Sequence, residues 1–182
     1  MAQSGMRRSE YIQMKAFARI DGALLSAAWT ASFACYIAGL VNPLLMMAGT
    51  AIGIGSLPYA GMRVRRFRDN VRDGELSFGR AYGYSTLMFF HAALLFAVAQ
   101  FVYFQFIDHG FVLNTVTQMA DTLKADPAMN VPGFGKMLDD SLRQMAVTRP
   151  IDYAMSYFTL NVMMGLVVGL PIAGLVRKAK AQ

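Results

Sequence analysis

Cysteine is nearly absent from this sequence. The one present, Cys35, excludes an intrachain disulfide, and its place inside an apolar run says nothing of the redox compartment. Histidine is almost as scarce. His91 and His109 are 18 residues apart, roughly 27 Å along one helix, too far to share a metal ion. There is no phosphate-binding loop, no Ser/His/Asp set in one compartment and no Cys/His cluster. The Asp139-Asp140 pair has no recognisable further ligands and reads as a solvated helix face. No proton-relay carboxylate lies inside the apolar runs, which weighs against a proton-coupled transporter. No metal, cofactor or enzymatic activity is therefore expected.

What is abundant is apolar. The 182 residues are 55% hydrophobic, and the mean hydropathy of +0.38 exceeds that of a soluble domain of this size. A net charge of +6 and a pI near 9.7 raise the question of nucleic acid. The charges flank apolar runs and do not decorate one soluble face, so anionic lipid headgroups are the nearer partner and nucleic acid is not.

The chain reads as one all-α membrane domain. Met1–Asp21 is polar and basic with interspersed apolar residues, an interfacial helix leading into the bilayer. A signal peptide is the competing reading, but the following run is long for one and no soluble mature domain succeeds it. Span one is about Gly22–Val41, and roughly 20 residues cover a hydrocarbon core of about 30 Å. Asn42-Pro43 turns the chain. Span two is about Pro43–Met62, with Pro58 expected to kink it; a basic hinge occupies 63–80. Span three is about Ala81–Ile107 and span four about Ile151–Val176. Between them, 108–149 shows two amphipathic periods broken by ADPAMNVPG. One is Val112, Val116, Met119 and Leu123; the other is Phe134, Met137 or Leu138, Leu142 and Met145. These predict an external helical hairpin, on lipid or against the bundle.

Lysine and arginine set the orientation. Thirteen of the 17 lie in the N-terminal segment, the hinge and the C-terminal tail; the other four lie in 108–149. The positive-inside rule then places both termini and the hinge in the cytoplasm.

Candidate sites follow from position. Arg63, Arg65, Arg66, Arg68, Arg72 and Arg80 would contact anionic headgroups, and the N–H groups after Ser77, the expected N-cap of span three, would hold a lipid phosphate beside Arg80. Non-specific anchoring is the simpler reading of that cluster. His91, Gln100 and Asn161 are intramembrane polar residues; His91 reads first as a packing residue, with a functional role as the alternative. His109 beside Asp108 reads as a solvated pair, and Asp21 as an interfacial charge. Gly49 and Gly53, and the stripe of Asn161, Gly165, Gly169 and Ala173, suit close helix packing, with Gln100 as the hydrogen-bond partner expected for Asn161.

One stretch, NVRDGELSFGRAYGYS, carries a family resemblance through Gly74, Leu76, Ser77, Phe78, Gly79 and Ala81. With the four-span layout and the ending GLVVGLPIAGLVRKAK, it resembles a bacterial four-span membrane family catalogued as domain of unknown function (DUF) number 4199. The resemblance implies a multi-pass bacterial inner-membrane protein and, through gene neighbourhood, a polyprenyl-phosphate glycosyltransferase as partner. The function expected is a non-catalytic accessory or scaffold subunit, bound to another membrane protein or to copies of itself. The alternative is a small lipid or solute transporter whose hinge attracts anionic headgroups.

Overall fold

The computed structural model describes residues 8–129 and 131–178. Six α-helices make up nearly all of it: α1 (Arg8–Gly39), α2 (Pro43–Val71), α3 (Phe78–Val102), α4 (Phe111–Ala125), α5 (Phe134–Val147) and α6 (Pro150–Val176). A π-helical turn, Tyr103–Ile107, extends α3, and a 3-10 turn, Pro127–Met129, lies between α4 and α5. No β-strand occurs among the described residues; one isolated bridge joins Leu76 to Lys178. Four helices (α1, α2, extended α3 and α6) are long and apolar enough to cross a membrane. The all-α bundle of four spans, with a helical hairpin between the third and fourth, is the fold.

The spans are longer than the apolar runs because nothing stops the helices where charge begins. No proline or glycine separates Arg8 from Asp21, so the expected interfacial helix and span one form a single 32-residue rod, about 48 Å long. Likewise α2 runs unbroken through Pro58 and on past Met62 to Val71. Its stop is Asp73-Gly74, with φ of 51° and 81°, a left-handed turn that glycine adopts without penalty. Most of the expected hinge is therefore helix, and only 72–77 is loop. The first seven residues, Asn130 and the last four lie outside the described residues.

Local chemistry sets the remaining boundaries. At the α1–α2 turn, Asn42 Oδ1 accepts from the Leu44 N–H at 3.1 Å, and Pro43 takes the first helical position. Beyond the π turn, His109 and Gly110 both have positive φ. The Asp108 carboxylate accepts there from the Gly110 and Val112 N–H groups, each at 3.1 Å. Asp108 thus caps α4 and is not paired with His109, whose Nδ1 faces the Ile107 carbonyl at 2.8 Å.

Packing is centred on α3. It holds α1 on one side and α6 on the other, while α2 lies chiefly on α1. Both of α3's main contacts depend on glycine. A Cβ on Gly22 would fall 2.7 Å from the Met88 carbonyl oxygen, and one on Gly165 would fall 2.5 Å from Phe89 Cβ. The core runs through Leu25, Val64, Phe67, Tyr84, Met88 and Phe89. It sits toward the end that carries Arg8, the 72–77 loop and Lys178, called here the tail end; α4 and α5 mark the hairpin end. The loop and the C-terminal segment are tied by Leu76 and Lys178, which exchange N–H···O bonds of 3.1 and 3.0 Å.

The hairpin turns its apolar faces inward only in part. Val112 and Ala120 of α4 are buried, whereas α5 has no buried residue. Lys124 Nζ ties the two helices, reaching Asp139 at 2.6 Å and Asp121 at 3.3 Å.

Candidate functional site

The hinge arginines are mostly held by their own chain. Arg63 pairs with Asp21; Arg68 donates to Asp69 at 2.7 Å and to the Val176 carbonyl at 2.8 Å. Arg72 and Arg80 both reach Glu10, at 3.1 and 3.7 Å. Arg65 is exposed, 3.9 Å from Asp69, and Arg66 is exposed on the same helix. Ser77 is the N-cap of α3, but its side chain makes no cap hydrogen bond. An open pocket of about 930 Å³ lies beside it, lined by the basic Arg72, Arg80, Arg177 and Lys178 and by the acidic Glu10, Asp73 and Glu75. Mixed charge of this kind makes a weak anion site.

Asp21 does not snorkel to solvent: 13 residues into α1, it is 2% exposed. Its Oδ1 accepts from Arg63 Nε at 2.8 Å and from Arg63 Nη2; its Oδ2 accepts from the Tyr84 hydroxyl. Phe67 stacks on Tyr84 with ring centroids 4.2 Å apart and meets Phe17 at 5.8 Å. Carboxylate, guanidinium and phenol thus join α1, α2 and α3 at one point. A buried charge is tolerated when paired and hydrogen-bonded, and here both conditions hold.

At the hairpin end lies a cleft of about 650 Å³. It lies between α1, α2, α3 and α6, while nearer the tail end α2 is tied to α6 by the Arg68 hydrogen bond to the Val176 carbonyl. Trp29, Phe33 and Ile37 of α1, Ile54 and Leu57 of α2, and Leu160 and Met164 of α6 line it; Val112 and Met145 close it at the hairpin. No charged residue is among the lining. Its polar groups mostly satisfy one another. Ser32 donates to the Gly49 carbonyl at 2.7 Å, Trp29 Nε1 to Ser56 at 3.0 Å, and Tyr36 pairs with Thr50 at 3.0 Å.

Gln100 is the exception. It is 1% exposed and lines the cleft, yet neither Nε2 nor Oε1 has a hydrogen-bond partner. Each such orphan costs about 1–3 kcal/mol. The interhelical bond expected between Gln100 and Asn161 is not made. Asn161 donates instead to the Tyr157 carbonyl of its own helix at 2.8 Å, because a short polar side chain on a helix finds the i−4 carbonyl without crossing a gap.

The remaining candidates are packing positions. His91 is half-buried beside Gly22, with Nδ1 2.6 Å from the Leu87 carbonyl. Gly165, Gly169 and Ala173 are buried, and Gly169 faces Tyr82 and Ser85 of α3. A Cβ on Gly49 would lie 3.0 Å from the Ser32 carbonyl, and one on Gly53 3.3 Å from Ser32 Oγ. Among the described residues, no three His, Cys, Asp or Glu converge as a metal site would require.

A family model described as "Protein of unknown function (DUF4199)" matches residues 21–178. The chain belongs to this family. Its architecture is multi-pass, with the matched segment covering all but the first part of α1. No curated protein and no solved structure matches the chain.

Proposed function

We propose that this chain is a non-catalytic integral membrane protein that binds the hydrocarbon chain of a lipid in the cleft between α2 and α6. The uncharged cleft is the observation that carries this reading. Its volume, about 650 Å³, is within the range of ligand pockets generally. Along α2 it extends from Met46 to Leu57 and along α6 from Tyr153 to Met164. Each stretch is about 16 Å, or roughly half the hydrocarbon thickness. A chain from one leaflet therefore sits at its depth. The location is the bacterial inner membrane with both termini cytoplasmic, which the skew of lysine and arginine supports. That orientation places the cleft in the outer half.

A second reading is the accessory subunit, bound to a polyprenyl-phosphate glycosyltransferase or another membrane protein. The exposed Met137 and Val147 on α5 favour it. Transport driven by hinge arginines drawing in headgroups has less support, since Arg63, Arg68, Arg72 and Arg80 are engaged within the chain.

Photo-crosslinking tests lipid binding. Purified protein in nanodiscs, with a lipid carrying a diazirine in its chain, should be labelled chiefly at 46–57 and 153–164. Met164→Trp, which narrows the cleft from an exposed position, should lower that labelling several-fold. Equal labelling of Val98 and Leu175, which are exposed outside the cleft, would defeat the reading.

A further inference from the structure

We infer that a second site, between α1 and α2 toward the tail end, binds the phosphodiester of one anionic glycerophospholipid through Arg63, Arg66 and Asn70. It is separate from the cleft and does not depend on chain binding there. Arg63, Arg66 and Asn70 of α2 and Phe17 of α1 line a hollow of about 210 Å³, with the buried Asp21 and Tyr84 at its base. Positions 63, 66 and 70 are three and four residues apart, so these side chains rise from one face of α2. Arg66 and Asn70 are exposed and have no hydrogen-bond or ion-pair partner among the described residues. Arg63 is held in place from below. Its Nε and Nη2 donate to the Asp21 carboxylate, which also accepts from the Tyr84 hydroxyl, and its side chain remains 21% exposed. A guanidinium fixed in this way loses little freedom when an anion arrives.

Charge and size name the ligand. Arg63 and Arg66 against Asp21 leave one net positive charge, which matches the single negative charge of a phosphodiester. The carboxylate does not repel it, because Asp21 is buried and both its oxygens are engaged. The pocket beside Ser77 differs in that three acidic residues share its lining. Two guanidinium groups and an amide supply the N–H donors that phosphate oxygens accept. The hollow is smaller than the about 300–1,000 Å³ of pockets that enclose a whole ligand. It takes a phosphate group and leaves the rest of the molecule outside. Phe17 is 38% exposed there, and Arg63 follows directly on the apolar run that ends at Met62. Lipid phosphates meet the ends of membrane spans at this depth, so a lipid is favoured over a soluble phosphate ester. A zwitterionic lipid would bring its own cation toward Arg66, so the anionic lipid is preferred.

Native mass spectrometry of the full chain in detergent tests the site. The probes are dioleoyl phosphatidylglycerol, dioleoyl phosphatidylcholine and glycerol phosphate. One phosphatidylglycerol should bind about fivefold more tightly than phosphatidylcholine, the ratio for one basic residue near a membrane surface. Arg66→Gln should lower phosphatidylglycerol affinity about fivefold, and Asn70→Ala about threefold. Arg65→Gln makes the same change of charge on the same helix outside the hollow, and should leave that affinity almost unchanged. Both Arg66 and Asn70 are exposed, so the two variants should melt with the wild type, which separates lost binding from lost fold. Glycerol phosphate should not displace the lipid. Equal losses from Arg65→Gln and Arg66→Gln would mean diffuse attraction and would overturn the site, as would equal affinity for the two lipids. Displacement of phosphatidylglycerol by glycerol phosphate would overturn the lipid as the source of the phosphate.

Discussion

Asp21 holds a carboxylate buried between helices, and the partners that stabilise it come from two other helices. Removing the carboxylate leaves Arg63, whose side chain is 21% exposed, without its partner among packed side chains. Asp21→Ala should therefore lower stability in detergent by about 3 kcal/mol, the lower end for a broken buried pair because Arg63 keeps some access to solvent. Asp21→Asn should lose less, as its amide oxygen still accepts from Tyr84. The double variant Asp21→Ala/Arg63→Ala should be more stable than Asp21→Ala alone, because the stranded charge is gone. Thermal melts of the three variants check this; a double variant no better than the single would show that the pairing contributes little. The pair was legible in the chain. Both residues lie 21 positions from Asn42, so an antiparallel hairpin turning there sets them side by side. Reading apolar runs alone missed this, because it ended the spans at the first charge. Tyr84 could not be found that way, since its approach depends on the rotation of α3 against the other two helices.

Glycine decides how closely α6 can approach α3. Gly165 lies against Phe89 so tightly that any side chain forces the helices apart, and overpacking of this kind costs about 1–3 kcal/mol or more. Asn161 makes its hydrogen bond within α6, so its loss removes no interhelical contact, and such bonds in membranes average only about 0.6 kcal/mol. Gly165→Leu should thus lower the melting point clearly and Asn161→Leu barely; equal effects would argue against close approach at Gly165. The hairpin depends on a different element contact. The hydrogen bond from Lys124 holds the Asp139 carboxyl below the usual carboxylate range and, in turn, the Lys124 ammonium above the usual lysine value. For Asp139 the stabilisation is present above its unfolded pKa and is lost as pH falls through the depressed folded value. For Lys124 it is present below its unfolded pKa and is lost as pH rises through the raised one. Hydrogen exchange in α4 and α5 should therefore stay slow across neutral pH and accelerate only in strong acid or strong base, beyond the intrinsic pH trend. Lys124→Ala should show the faster exchange already at neutral pH. The periodicity of 108–149 was enough to place these helices, but it could not reveal that Asp108 caps α4. That role depends on the left-handed turn at His109-Gly110, which a sequence does not signal when histidine occupies the first position.

At the scale of the molecule, the described segments rich in arginine and lysine, apart from the hairpin, gather at one end. Glu10 meets Arg72 and Arg80 there, Arg68 meets Val176, and Leu76 pairs with Lys178. The count of charges read from the sequence and the four spans agree on this grouping. What the sequence could not supply was the division of labour among the arginines, because that depends on which side of α2 each one occupies. Arg63 and Arg68 turn toward the bundle, while Arg65 and Arg66 are exposed. The two pairs should therefore respond oppositely to neutralisation. Arg65→Gln/Arg66→Gln should leave the melting point within a few degrees and weaken attraction to anionic vesicles by up to about 1 kcal/mol per charge. Arg63→Gln/Arg68→Gln should destabilise the bundle and change vesicle dependence less. Topology is the common check. A reporter after Gln182 should remain cytoplasmic and one inserted at Asn130 external in the wild type and in Arg65→Gln/Arg66→Gln, since eleven basic residues would still lie on the tail side against four beyond it. A cytoplasmic signal at Asn130 in the wild type would overturn the orientation. The cleft would then lie in the inner half of the membrane, and any lipid chain entering it would have to come from that leaflet.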